Sequence, residues 1–485
     1  MSSGTARTAD TGKTVWCYER RRPERTLLYQ LVAEHYPRFL AMLADRGRSL
    51  PHYVQREFDE FLQCGILDHG FLRVRCQDCH SERLVAFSCK RRGFCPSCGA
   101  RRMVESAALL VGEVLPRLPM RQWVLSFPFQ LRFLFASRPE IMSRVLGIVY
   151  RAIETHLIHQ AGCTRATAKT GAVTLIQRFG SALNLNIHFH MLFLDGVYLT
   201  DREPPVFRRL PAPRPQALEG LIHTISQRVG AYLEREGLLV RDIENSYLQL
   251  EAPEESAIND LLGHSITYRI AVGPQAGCKA FTLQTVPARQ EDSDNSQLAK
   301  TAGFSLHAGV AAKAHQRRKL ERLCRYIARP ALATDRLALT PQGYVRYTLK
   351  TPYRDGTTHI ILEPLDFIAR LAALVPKPRV NLTRFHGVFA PNSALRQQVT
   401  PAGRGKGRLD ETKTPAQRRA AMTWAQRLKR VFKLDIETCD QCGGTVKVIA
   451  CIEDPAVVKR IKRNAHPPRS SAAGCGSARW ISMPR

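Results

Sequence analysis

The stretch LNLNIHFHMLF, Leu183 to Phe193, sets two histidines one residue apart inside an apolar run. Read at period two, Asn184, Asn186, His188 and His190 share one face, and Leu183, Leu185, Ile187, Phe189 and Met191 share the other. Both imidazoles therefore point the same way. Such a face is either a wet sheet surface or a site, because two neutral imidazoles side by side can hold a divalent cation if a third ligand comes from elsewhere. The preceding run AVTLIQRF offers Gln177, whose side-chain oxygen is the candidate third ligand.

A second constellation lies in AKAHQRRKLERLCRYIARP. At 100° per residue, Leu320, Leu323, Cys324 and Ile327 form an apolar stripe, and Arg318, Arg322, Arg325 and Arg329 lie near the opposite side as candidate phosphate contacts. Tyr326 falls between the stripes. It is either an amphipathic residue covering core or a nucleophile beside phosphate-binding arginines. A phenol is a poor nucleophile at neutral pH, so attack on a phosphodiester needs a metal to polarise the phosphate and cations to stabilise developing charge.

Cysteines make the third. Cys76-x2-Cys79 is followed after fifteen residues by Cys95-x2-Cys98, a spacing that suits four thiolates around one structural zinc; Cys89 is a fifth thiol able to replace one of them. The arginines around these cysteines (Arg73, Arg75, Arg83, Arg91, Arg92, Arg101, Arg102) suit a module that lies on phosphates. Cys439-x2-Cys442 reads as one knuckle of a site whose other half is missing or distant. His156 and His159 read as surface residues of a helix.

These groups need elements to hold them. Helical periodicity runs from about residue 24 to 64; a helix is expected at about 101–115, a strand at QWVLSF, a helix at about 139–159 and a strand at AVTLIQRF. The His-bearing run should be a sheet strand ending in a hairpin at Asp195-Gly196, and a helix is expected from after Gly309 to about Arg329. YVRYTLK and THIILE flank a turn at Asp355-Gly356, and PLDFIARLAALVPKPRV adds a further helix. The pattern fits an α+β or α/β sheet domain, of which α+β is the expectation taken forward with the resemblance given below.

The expected organisation is a disordered leader (1–20), a helical and zinc-binding domain (21–115), a catalytic domain with a central antiparallel sheet flanked by helices (116–398), a linker (399–413), a basic amphipathic helix with the Cys439–Cys442 segment (414–463) and an unstructured tail (464–485). The 72 Lys and Arg against 42 Asp and Glu give a net charge of +30, which makes a polyanion the natural partner. No run approaches the 18 or so apolar residues of a membrane span, and the first residues lack an apolar signal core, so a cytoplasmic protein is expected. No Walker-type glycine loop is present to supply ATP chemistry.

VRCQDCHSERLVAFSCKRRGFCPSCGARRM, NLNIHFHMLFLDGVY, KLERLCRYIARP and PKPRVNLTRFHGVFAPN together resemble the transposases of the insertion-sequence ninety-one group, members of the HUH superfamily of rolling-circle nucleases, over roughly residues 20 to 460. The resemblance implies an N-terminal zinc-binding domain before an HUH-type nuclease domain. It further implies catalytic Mg²⁺ or Mn²⁺ on His188 and His190, and attack by Tyr326 on single-stranded DNA at the element's ends to leave a 5′-phosphotyrosine and a free 3′-OH. Some members carry a second tyrosine four residues before the first; here that position is Arg322, so the single-tyrosine variety is expected. Two alternatives share parts of this pattern: a plasmid replication initiator or relaxase with the same chemistry, and a zinc-dependent DNA-binding regulator without any.

Overall fold

The computed structural model describes residues 22–241, 256–288, 297–403 and 437–464, together with three short strands at 5–8, 14–17 and 246–248. Two compact units emerge, one formed by 1–63 with 89–436 and a smaller one by 64–88 with 437–485. The expected single domain over 21–115 is thus interrupted, with 64–88 grouping with a segment from the far end of the chain. The expected amphipathic helix from Thr414 lies outside the described residues through 436, as do most of the leader and the tail beyond Asn464.

The larger unit opens with α1 (Leu27–Ala44) and α2 (His52–Gln63). The Thr26 hydroxyl caps α1 by accepting the Tyr29 N–H at 3.3 Å. Then follow α3 (Pro96–Leu109), β1 (Met120–Ser126), α4 (Phe129–Ser137), α5 (Pro139–Gln160), β2 (Gly171–Phe179), β3 (Leu185–Leu194), β4 (Leu298–Thr301), β5 (Phe304–Ala312), α6 (Arg317–Ile327) and β6 (Thr383–Gly387). The six strands form one antiparallel sheet in the order β4-β5-β1-β3-β2-β6. A second antiparallel sheet pairs Val345–Thr348 with Thr357–Leu362 across the Asp355-Gly356 turn, and Gly356 takes φ 88°, which favours glycine. The α+β expectation holds as a mixed helix and antiparallel-sheet fold.

Both faces of the central sheet are covered. On one, Phe127 packs edge-on against Phe189 (4.8 Å) and against Phe135 of α4 (4.9 Å), while Tyr150 of α5 stacks on Phe193 (5.6 Å). On the other, Val173, Leu175, Leu192, Leu194 and Met120 form one buried cluster with Leu320, Cys324 and Ile327 of α6. The helical stripe read from sequence is therefore the seam that fastens α6 to the sheet. His156 departs from the expected surface position, its ring lying edge-on to Trp123 at 6.3 Å, whereas His159 is exposed.

Two local expectations change. Asp195-Gly196 does not close a hairpin with β3: the chain bends at Asp195 and passes from the central sheet into Gly196–Leu199 of a separate three-stranded sheet, which pairs with Val206–Arg209. Gly196 is needed because a Cβ there would collide with the Arg208 carbonyl, not for a turn. Asp195 instead pairs with Arg121 (Nε to Oδ1 2.7 Å, Nη2 to Oδ2 3.1 Å), and the same guanidinium donates to the Ala308 carbonyl at 2.9 Å, joining β1, β3 and β5 in the interior. The segment after Gly309 stays in β5 through Ala312 and turns helical only at Arg317, whose guanidinium donates to the carbonyls of Leu115 and Pro116 at 3.0 and 2.8 Å. Arg329 accordingly lies beyond the helix end.

The smaller unit is a three-stranded antiparallel sheet in which Phe71–Cys76 is central, between Val446–Ile452 and Glu82–Ala86, with a helix at Pro455–Asn464. Among the described residues no helix is long and apolar enough to cross a membrane.

Removing one partner of a buried ion pair leaves the other charge unpaired at a cost of about 3–5 kcal/mol. Asp195→Ala should accordingly lower unfolding stability by that order in a urea titration, while Asp201→Ala, at an exposed loop position, should leave it nearly unchanged.

Candidate active site and cysteine clusters

The alternation of β3 places His188 and His190 on the face that α6 covers, so the pair is not a wet surface. His190 is buried and His188 half-buried. Their Nε2 atoms lie 3.1 Å apart. The other ring nitrogens are both engaged: His188 Nδ1 with the Asn186 carbonyl at 2.9 Å and His190 Nδ1 with the Gln122 amide of β1 at 2.6 Å. Burial pushes His188 down to about 4, against the Asn186 carbonyl, which favours the charged form. His190 is pushed well below the usual range, first by burial and then by His188 and Arg329. Both rings are therefore neutral at neutral pH, the state in which imidazole can ligate a metal.

Tyr326 sits in the last turn of α6, two residues after Cys324 and one before Ile327, which are pinned in the seam. That spacing turns its ring toward β3, where it meets His190 edge-on with centroids 6.4 Å apart. The ring remains 40 % exposed, so its hydroxyl is open to a ligand. Two cations lie over it at 4.2 Å: the Arg329 guanidinium, which also covers Phe179 at 5.2 Å, and the Lys350 ammonium. Gln177 is opposite His188 in the β2–β3 register, and its amide nitrogen donates to the Ile327 carbonyl at 3.0 Å. Gln177 thus ties the end of the tyrosine helix to the strand beside the histidines.

Of the four arginines expected to face phosphate, Arg318 and Arg322 are exposed on α6 and Arg325 is half-buried. Arg329 is not on the helix ridge but folded back against Tyr326, donating to its carbonyl at 2.8 Å. Gln122 and Lys350 were missed. A glutamine in the otherwise apolar strand QWVLSF was a signal for the first; nothing marked the second, which is brought in by the Val345–Thr348 hairpin.

The cysteines group differently from the expected set of Cys76, Cys79, Cys95 and Cys98. In the smaller unit the Sγ atoms of Cys76, Cys79, Cys439 and Cys442 all lie within 4.8 Å of one another, with Cys76–Cys442 and Cys79–Cys439 each at 3.5 Å. The Cys439 half-site therefore finds its partner in the first knuckle. Strand pairing brings this about, since Val446 lies opposite Cys76. In the larger unit Cys89, Cys95 and Cys98 have their thiols within 4.8 Å, Cys89 and Cys98 at 3.5 Å. A disulfide would need about 2.05 Å, whereas thiolates about 2.3 Å from a tetrahedral zinc stand about 3.8 Å apart. Backbone N–H groups of Gln441 and Cys442 draw the Cys439 thiol down to about 7, toward the thiolate that zinc requires.

The loop bearing Cys89, Cys95 and Cys98 is clamped to α2. The Glu57 carboxylate accepts the Gly93 N–H at 2.6 Å, Glu60 accepts from Arg91 at 2.6 Å, and Phe94 packs on Phe58 and Phe61 at 4.7 and 5.2 Å. Arg102 donates to the carbonyls of Lys90 and Arg91. Arg73 pairs with Glu82, Arg83 with Asp440 and Arg101 with Glu105. Most arginines expected to lie on phosphates around the cysteines thus serve the fold.

Two families match the chain: one described as "Transposase zinc-binding domain" over residues 31–127, and one described as "Putative transposase" over residues 171–397. The first contains Cys76, Cys79, Cys89, Cys95 and Cys98; the second contains Gln177, His188, His190 and Tyr326. No curated protein and no solved structure matches. A zinc-binding domain ahead of a transposase region defines a DNA-processing enzyme of the transposase class. Within that class the chain belongs to the insertion-sequence ninety-one family of transposases.

Cys439→Ser should remove one equivalent of zinc, measured by elemental analysis of the purified protein, although Cys439 lies outside both matched segments. A protein that keeps its full zinc content after this change would refute the pairing of the two knuckles.

Proposed function

We propose that this transposase nicks and rejoins single-stranded DNA at the ends of its element through a covalent 5′-phosphotyrosine on Tyr326, on an HUH-type nuclease domain, and so drives rolling-circle transposition. The observation that carries the reading is the juxtaposition of Tyr326 and His190, made by a helix fastened to the strand of the histidine pair.

The pair suits a divalent cation. Two ligands about 2.1 Å from one ion at right angles stand about 3 Å apart, close to the Nε2 separation of 3.1 Å. The Asn186 carbonyl takes the Nδ1 proton of His188 and leaves its Nε2 lone pair free; at His190 the Gln122 amide nitrogen stands 2.6 Å from Nδ1, and exchanging the two amide atoms of Gln122 sets its oxygen there to take that proton and free the second Nε2. Gln177 acts chiefly as a positioning residue for α6, and its carboxamide oxygen is the atom left to complete the ligand set. Mg²⁺ or Mn²⁺ held there would polarise the scissile phosphate.

Tyr326 Oη then attacks phosphorus, the P–O3′ bond breaks, and the phosphate stays on tyrosine while the phenol proton passes to solvent and the departing 3′ oxygen gains one. One phosphodiester replaces another, so a later 3′-OH can reverse the step without ATP. Arg329 and Lys350, over the tyrosine ring, meet the charge that builds on the phosphate. Arg318 and Arg322, exposed on the same helix, are read as contacts to the flanking strand.

Structural zinc is assigned to both thiol sets.

Incubation with labelled single-stranded DNA from the element's ends and Mn²⁺ should give an SDS-resistant protein–DNA adduct. Tyr326→Phe should abolish it, and His190→Ala should reduce it by about a hundredfold or more. Binding without any adduct in the parent protein would leave a non-catalytic regulator as the better reading.

A further inference from the structure

Behind Tyr326 lies a cavity of about 300 Å³, of whose lining the chemistry above uses only Gln177 and Arg329. Its lining includes Arg92, Arg102, Arg178 and Arg329, and no aspartate or glutamate. Arg102 is engaged with loop carbonyls, and Arg92 donates to the Val380 carbonyl at 2.5 Å. Arg178 is different: it is only 6 % exposed, and its Nε is buried with no hydrogen-bond partner. It stands where the β2–β3 pairing shifts register, between Gln177 and Phe179, the kind of irregularity that re-aims a side chain.

A buried guanidinium without a carboxylate is costly to the folded state. A guanidinium stays charged in proteins, so one held here, in a lining without Asp or Glu, calls for an anion. The cavity also offers Phe179, over which Arg329 lies at 5.2 Å, an aromatic and cationic surface of the kind on which bases stack. Its volume is at the low end for small-molecule sites, right for one nucleotide and too small for duplex. Ile327, Ala328 and Arg329 form part of its wall directly after Tyr326, and Gly93, Cys95 and Gly99 of the cysteine loop form another part.

We propose that this arginine pocket receives one nucleotide of the single strand next to the scissile phosphate, with Arg178 contacting its phosphate. The inference rests on the reading of Tyr326 as a nucleophile toward single-stranded DNA and adds a second anchoring point to it. The cysteine loop thereby helps to hold the strand at the cut.

The test is equilibrium binding of a fluorescent single-stranded oligonucleotide from the element's end, across a range of NaCl, in a Tyr326→Phe background without added Mg²⁺ or Mn²⁺. Each phosphate contact contributes about 0.7 to the slope of log K against log salt for single strands. Arg178→Gln should lower the slope by about that amount and weaken binding roughly tenfold, and Arg178→Lys should restore the slope. Thermal melting separates a structural role, because Arg178→Gln removes an unpaired buried charge and should leave the midpoint unchanged or raise it. If Arg178→Gln melts lower, Ser106→Glu, which places a carboxylate in the lining, should raise the midpoint and weaken binding; no change in binding in that variant overturns the proposal. An unchanged slope in a folded Arg178→Gln protein also overturns it, while leaving the nuclease reading intact. Failure of the parent protein to bind the oligonucleotide overturns both.

Discussion

The burial of one helical stripe against one sheet face is the constraint from which the rest of the candidate site follows. Leu320, Cys324 and Ile327 seat α6 on Leu175, Leu192 and Leu194. At roughly 1.5–3 kcal/mol per fully buried aliphatic side chain, two such residues outweigh any single polar contact in the region. Once that seam is fixed, Tyr326 must project toward β3 and its flanking arginines must face outward, because residues of one helix turn in 100° steps. A slip of one residue would carry the phenol away from His190. The Gln177 contact to the Ile327 carbonyl adds direction to a union that the apolar contacts hold.

Charge in this protein has two separate uses. Arg73, Arg83, Arg91, Arg101 and Arg121 are paired with carboxylates and so belong to the balanced part of the charge, apart from the +30 excess that a polyanion meets. Among the described residues, Arg329, Lys350 and Arg178 are cations with no carboxylate partner that stand around Tyr326 or behind it. Field at a reaction centre depends on local, desolvated charge far more than on the total.

The two thiol sets solve a problem of distance along the chain. Closing a loop as long as that between Cys79 and Cys439 is entropically unfavourable, though the cost grows only with the logarithm of its length. Zinc binding of a four-thiolate set supplies about 10–16 kcal/mol in small domains, ample to offset it. The strand pairing of 446–452 with 71–76 aligns the two knuckles so that four sulfurs meet without rearrangement.

By itself, the sequence determined the local chemistry: the shared face of His188 and His190, the apolar stripe of α6, the knuckle spacing of the cysteines and the α+β alternation. Each depends only on residue type and the period of a helix or strand. Four things were decided by tertiary structure alone. Cys76 and Cys79 join Cys439 and Cys442 because strands distant in sequence pair. Gln122 reaches the site from β1 and Lys350 from the bend that follows Val345–Thr348. Asp195-Gly196 passes the chain from one sheet to another, because Arg121 captures the aspartate from a neighbouring strand and the Arg208 carbonyl leaves room only for a glycine. Arg178 turns from an ordinary strand residue into an unpaired buried cation because helices and loops close over it. Local periodicity carries no information on which distant segments meet, and those meetings set burial, partners and charge state.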